Sequence, residues 1–153
     1  MTRKGGLKHL SPEYANAFLG LLRAGERLDR SLNAELERQH GFTLRAFEVL
    51  LFLAVFAEKH SMPMGELIKR APLSQSRVSR LVADLEGRGL VERGTVDGDA
   101  RAVAVSLTPA GMKEFRGAQE THLAGLHRLL FSRLTSAEID QLAQIAAKIL
   151  ADP

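Results

Sequence analysis

The stretch from Leu67 to Thr108 constrains this chain more than any other, because it reads as a helix, a tight turn, a second helix and a two-stranded ribbon. Met64, Leu67 and Ile68 recur at helical spacing as far as Arg70. Ala71-Pro72-Leu73 then ends that helix, since proline disfavours α geometry in the residue before it. Ser74 suits the N-cap of the next helix, where its hydroxyl accepts from an amide one turn on, and Val78, Leu81, Val82 and Leu85 line one face. The opposite face and its flanks carry Ser76, Arg77, Ser79, Arg80 and Ala83, a small, polar and cationic surface suited to entering a groove. The helix is expected to stop at Gly87 or Gly89. Leu90-Val91-Glu92-Arg93 then reads as extended, and Val103, Val105 and Leu107 alternate with Ala102, Ala104 and Ser106 as in a half-buried strand. Between them Gly94 to Arg101 reads as a turn-rich loop reversing at Asp97-Gly98. Such a stretch presents a helix to a DNA major groove and a wing to the minor groove beside it.

The rest of the chain frames that stretch. Met1 to His9 is expected to be a loose basic arm with nothing to pack. Ser11 and Pro12 then open a long helix, whose stripe of Tyr14, Phe18, Leu21, Leu22, Leu28, Leu32 and Leu36 reaches about Arg38. Gly41 breaks it and Thr43 caps a helix from Leu44 to Ala57 with almost no polar side. That predicts burial all round, with Phe47, Leu50, Leu51, Phe52, Ala54 and Phe56 as the hub of the core. Glu58 to Pro63 reads as a loop. After the ribbon, Thr108-Pro109 starts a helix to about Ser132, and Thr135 with Glu138 forms a capping box for a last helix to the end. These outer helices carry more apolar surface than one reading head can cover, and a twofold dimer is the simplest way to bury it.

Composition excludes several alternatives. The 153 residues fit one domain, with a formal charge of +3, so DNA affinity has to come from where the cations sit. There is no cysteine, hence no disulfide framework, thiolate metal site or cysteine-based peroxide sensor. The 5 histidines, His9, His40, His60, His122 and His127, lack ligand spacing: His122 and His127 do not share a helix face as i and i+4 would. No phosphate loop, nucleophile elbow or metalloprotease motif occurs, so no enzyme, cofactor or metal is expected. The N-terminus lacks a secretory h-region, and the longest apolar run, Val49 to Ala57, is well short of the ~18 residues a membrane helix needs, which predicts a cytoplasmic protein.

Asp99-Ala100-Arg101 followed by Val105, Leu107 and Thr108, and preceded by Leu85-Glu86-Gly87-Arg88-Gly89-Leu90-Val91-Glu92-Arg93, closely resembles the signature of the MarR family of winged helix-turn-helix regulators. The resemblance covers most of the chain and implies a mainly α fold with a small β-wing. It also implies dimerisation helices at about 11–40 and 109–153 around a winged helix-turn-helix at about 43–108, all within a single MarR-like domain, 1–153. By the same resemblance, Arg101 reaches the minor groove and Asp99 helps to hold the wing loop. One departure is Ala100, where the family often has an arginine. For Asp99, pairing with an arginine and bonding to loop amides are both open, while Asp84 and Glu86 are expected to face away from phosphates or to pair with Arg88.

The function expected is a homodimeric, sequence-specific regulator of transcription that binds a pseudo-palindromic duplex, with half-sites ~10 bp apart. Ser74, Gln75, Ser76, Arg77, Ser79 and Arg80 are the candidates at the groove. Arg77 and Arg80 suit guanine edges or phosphates, and Gln75 suits adenine or the backbone. The resemblance further implies a small aromatic or phenolic effector that relieves repression. The main alternative is a winged-helix protein-interaction module that has lost DNA binding; a helical small-molecule carrier or enzyme is a second.

Overall fold

The computed structural model describes residues 2–4 and 7–152, with side chains from residue 8 onwards. The chain divides into two compact units. One runs from Asn33 to Gly125, and the other joins Met1–Leu32 to Leu126–Pro153. Among the described residues no single helix is long and apolar enough to cross a membrane.

The larger unit begins with the C-terminal end of α1 (Pro12–His40), which stops where Gly41 adopts a left-handed φ of 73°. Thr43 caps α2 (Leu44–Leu51) by accepting from the Ala46 amide at 3.1 Å. The expected single helix to Ala57 is corrected here: after Leu51 the chain widens into a π turn, Phe52–Phe56, and leaves helical geometry at Ala57. The extra residue in that turn shifts the apolar stripe round the axis. Phe47, Leu50 and Leu53 are fully buried, but Val55 and Phe56 are more than half exposed and Leu51, Phe52 and Ala54 only half-buried, so the hub is narrower than all-round hydrophobicity implied.

Glu58 to Pro63 is not simply a loop. Lys59 and His60 take left-handed φ values of 51° and 58°, turning the chain so that β3 (Ser61–Pro63) pairs antiparallel with β5. A three-residue strand with a proline carries no period of its own, and pairing across the fold creates it. The helices α3 (Met64–Arg70) and α4 (Gln75–Gly87) follow, and Gly89, at φ 73°, is the glycine that closes α4. The strands β4 (Val91–Val96) and β5 (Asp99–Leu107) complete a three-stranded sheet in the order β3-β5-β4. Much of the expected wing loop is therefore strand: pairing runs to Val96↔Asp99, and only Asp97-Gly98 turns.

The core of this unit is where α2, α4 and the sheet meet α5 (Pro109–Leu129). Leu36, Phe47, Leu50, Leu53, Leu67, Val78, Val82, Leu85, Val91 and Val105 are essentially inaccessible. Phe47 stacks on Phe115 with ring centroids 5.7 Å apart, and burying such a side chain stabilises by about 1.5–3 kcal/mol. Gly111 is buried where α5 starts, against the Leu90 carbonyl and the Leu107 side chain. The Thr108 hydroxyl ties this junction, accepting from Gly111 N–H (2.9 Å) and donating to the Gly89 carbonyl (2.7 Å).

The smaller unit holds the first part of α1, the end of α5, a short turn at Phe131–Arg133 and α6 (Ser136–Leu150). The capping box at Thr135 and Glu138 forms, and these hydrogen bonds hold the Glu138 carboxyl below the ordinary glutamate range. Ser11 does not cap α1: its hydroxyl is buried without a partner among the described residues, while its carbonyl accepts from Ala15 N–H. The expected loose arm is also corrected, since β1 (Thr2–Lys4) and β2 (Leu7–His9) pair antiparallel with Arg3 opposite Lys8. Of the described side chains in this unit only Leu32 is buried, whereas Tyr14, Phe18, Leu21 and Leu22 of α1 and Ile145, Ile149 and Leu150 of α6 are at least half exposed.

Candidate nucleic-acid interface

Helix α4 is positioned by its own start signals. Pro72 leaves Ala71 extended, and Ser74, also extended, accepts from the Arg77 amide at 3.4 Å. Val78, Val82 and Leu85 anchor one face in the core, which leaves Ser74, Gln75, Ser76, Arg77, Arg80 and Ala83 exposed. Ser79 is half-buried at the edge of that face. No acidic residue occupies the first turn, so the positive end of the helix dipole adds to Arg77 and Arg80 instead of being offset. Arg80 lies back along its own helix, Nε 3.5 Å from the Ser76 carbonyl, and the Arg77 side chain makes no hydrogen bond or ion pair among the described residues. Among the described residues this leaves the Arg77 guanidinium and the two Arg80 Nη groups to meet an anion.

Arg101 stands apart from this face, on the wing. It lies within the register shift between Thr95↔Val103 and Val96↔Asp99, where the ladder is interrupted, and it is exposed. The Asp99 carboxylate accepts from Arg101 N–H at 3.0 Å, so the loop amide is the partner found here. Gly98, at φ 81°, makes the reversal possible.

The pairing expected of Glu86 is corrected. Glu86 accepts from Arg93 N–H (3.2 Å) and pairs with its guanidinium (3.7 Å), holding β4 to the end of α4. Arg88 instead donates from Nη1 to the Gly41 carbonyl (3.0 Å) and from Nη2 to the His40 carbonyl (3.2 Å), with its guanidinium over the Phe42 ring. Sequence reasoning missed this contact, whose only local signal is a cation just past a helix end.

The histidines do different things. His40 Nε2 lies 2.8 Å from the Thr121 hydroxyl, and His60 Nδ1 is 3.3 Å from the Leu53 carbonyl. His122 packs 4.8 Å from Phe47, its Nδ1 buried without a partner among the described residues. Burial lowers its pKa below the ordinary histidine value, with Glu48 pulling weakly the other way. Among the described residues no three His, Asp or Glu side chains are grouped to hold a metal ion.

The profile of the MarR family matches residues 40–102, from the end of α1 through α4 and into β5. Among curated relatives, the transcriptional repressor MprA of Escherichia coli strain K12 is 35% identical over 104 residues, 65% of this chain and 58% of MprA, so the match spans less than two thirds of that protein. The crystal structure of Sco3205, a MarR family transcriptional regulator from Streptomyces coelicolor in complex with DNA, superimposes with a TM-score of 0.88 at 27% identity, covering 94% of this chain and 89% of that one. In sequence over residues 40–102 and in fold over nearly its whole length, the chain is similar to MarR family transcriptional regulators.

Its mainly helical fold carries a small three-stranded antiparallel sheet, of which β4 and β5 form the wing. The family consists of transcriptional regulators, and nothing in the comparisons points to catalysis. CouR from Rhodococcus jostii RHA1, bound to p-coumaroyl-CoA, is a further structural relative, with a TM-score of 0.74 at 25% identity, covering 84% of this chain and 87% of CouR. The family profile stops short of α5 and α6, whereas the structural comparison spans nearly the whole chain.

Proposed function

We propose that this protein is a sequence-specific, double-stranded DNA-binding regulator of transcription that works as a homodimer in the cytoplasm. The observation that carries the reading is the exposed face of α4. Ser74, Gln75, Ser76, Arg77 and Arg80 share it, no carboxylate lies in the first turn, and a paired wing in the same unit carries Arg101. In this reading α4 enters the major groove. Arg77 and Arg80 serve guanine edges or phosphates, Gln75 serves adenine or the backbone, and Ser79 acts at the margin of the contact. Arg101 enters the minor groove, where the potential is most negative, and Asp99 holds its loop.

Dimerisation is supported by the smaller unit, which buries only Leu32 among its described side chains and has to cover its apolar helices some other way. On this view α1, α5 and α6 are the dimerisation helices within one MarR-like domain, and residues 43–108 are the reading head. Repression relieved by a small aromatic or phenolic effector is the regulatory sense we propose, in keeping with the repressor MprA and with CouR bound to p-coumaroyl-CoA. An effector acts only through a difference in its affinity for the DNA-competent and incompetent dimers.

The test is selection of random duplexes by the purified dimer across a salt series. The expected result is a two-fold symmetric site whose log affinity falls with log salt by about 0.9 per phosphate contacted. A verified dimer that enriches no sequence would overturn the reading in favour of a protein-interaction module.

A further inference from the structure

The last two turns of α1 are tied by side chains to three other helices of the larger unit. Asn33 Oδ1 accepts from the Leu44 amide at the head of α2 (2.9 Å). On α5, Thr121 Oγ1 donates to Gln39 Oε1 (3.1 Å) and lies 2.8 Å from His40 Nε2. The third tie, to α4, is Arg88. Its backbone continues the helix (φ −88°, ψ −2°) with its amide bonded back to the Asp84 and Glu86 carbonyls, so the side chain leaves a rigid base. Its fork takes the carbonyls of His40 and Gly41, where the negative end of the α1 dipole would otherwise be left to water. Two donors on two successive carbonyls fix direction as well as distance, which a single ammonium cannot do. The Phe42 ring beneath, its centroid 5.2 Å from the guanidinium carbon, leaves that plane little freedom to tilt.

We propose that Arg88 is a positioning residue that locks the pitch of α4 to the axis of α1. Helix α1 runs unbroken from Pro12 to His40, and its first half carries the exposed apolar side chains Tyr14, Phe18, Leu21 and Leu22. The tie therefore delivers any rotation of α1 to α4, and the spacing of two reading helices follows the arrangement of the helices that hold the dimer. The inference rests on the reading of α4 as the DNA-contacting helix only for its consequence at DNA; the tie itself is a property of one chain.

The chain has no cysteine, so Glu37→Cys on α1 and Ala83→Cys on α4, both at exposed positions, give a clean pair of spin labels. Doubly labelled chains diluted into excess unlabelled protein report the α1–α4 distance by pulsed electron resonance. With Arg88 in place the distribution is narrow; Arg88→Met and Arg88→Lys broaden it by about twofold or more with helicity unchanged, because lysine keeps the charge but not the fork. An equally narrow distribution in Arg88→Lys, or a broad one with Arg88 present, overturns the tie. At DNA, Arg88→Lys flattens the preference for one half-site spacing, whereas an even loss at every spacing marks a merely structural role. If the parent protein selects no DNA site, the proposed function fails, and the distance measurement still decides on Arg88.

Discussion

Replacing Gly111 by alanine tests the packing of the junction between the wing and α5. A Cβ at this position would overlap the Leu90 carbonyl oxygen and come within 2.7 Å of Leu107 Cδ1, and the oxygen belongs to backbone that cannot swing aside. That carbonyl also accepts from Thr108 N–H at 3.1 Å, so displacing it weakens a bond that orders the entry to α5. Overpacking of this kind costs about 1–3 kcal/mol and the weakened hydrogen bond adds about 1 kcal/mol, against up to about 1 kcal/mol returned by alanine's better helix propensity. With the propensity gain returned in full, the net is a loss of about 1–3 kcal/mol, which for a chain of this size lowers Tm by about 2–12 °C. Thermal unfolding followed by circular dichroism at fixed protein concentration measures it, because dimerisation makes Tm depend on concentration. The control is Gly65→Ala on α3, where a Cβ would meet nothing within 4 Å and stability should hold or rise. If Gly111→Ala melts with the parent protein, the close approach of α5 to Leu90 is wrong.

Three further outcomes follow from the proposed contacts and from His122. Arg101→Ala should weaken binding to all duplexes and reduce the log–log salt slope by about 0.9, one phosphate's worth; an unchanged slope and affinity would remove Arg101 from the interface. Arg80→Ala should relax the preference at one base pair, costing about 1–3 kcal/mol at the preferred base, and a loss that is uniform across sequences would make it a phosphate holder. Burial lowers the pKa of His122, so the unfolded chain takes up a proton that the fold resists: its contribution is fully present above the ordinary histidine value and is lost as pH falls through it. Urea midpoints should therefore fall more steeply with acidification in the parent than in His122→Leu, and parallel curves would refute that account.

Much of the larger unit was legible in the residues because its signals are local. Pro72 and Ser74 stop one helix and start the next through one residue's backbone preference and one hydroxyl, and both act as read. Thr43, Thr108 and the Thr135–Glu138 box belong to the same class. The four apolar positions of α4 fixed which face stays outside, and hence where Ser76, Arg77 and Arg80 stand, as soon as the helix was recognised. The errors have a different origin. Nothing in Glu58 to Pro63 announces two left-handed residues and a strand, since that strand exists only through its register with Ala104, Val105 and Ser106. The apolar run through Phe56 reads as uniform core, but a π turn takes Val55 and Phe56 out to the surface. Ser11 has the residue type of a cap, yet its hydroxyl is buried without a partner among the described residues.

By itself the sequence determined the order of the helices and of the β4–β5 ribbon, most of their caps and stops, the face that α4 turns inward and the MarR-like signature of the wing, because caps, periodicity and turn chemistry act over a few neighbouring residues. Only the tertiary structure decided that Glu86 pairs with Arg93, that Arg88 closes the end of α1 at Gly41, that β3 joins the wing strand and that Gly111 has no room for a side chain. Glu86 and Arg93 meet across the turn from α4 to β4, the other contacts join residues far apart in the chain, and the geometry of a guanidinium fork or a missing Cβ takes effect only once folding has brought its partners within reach.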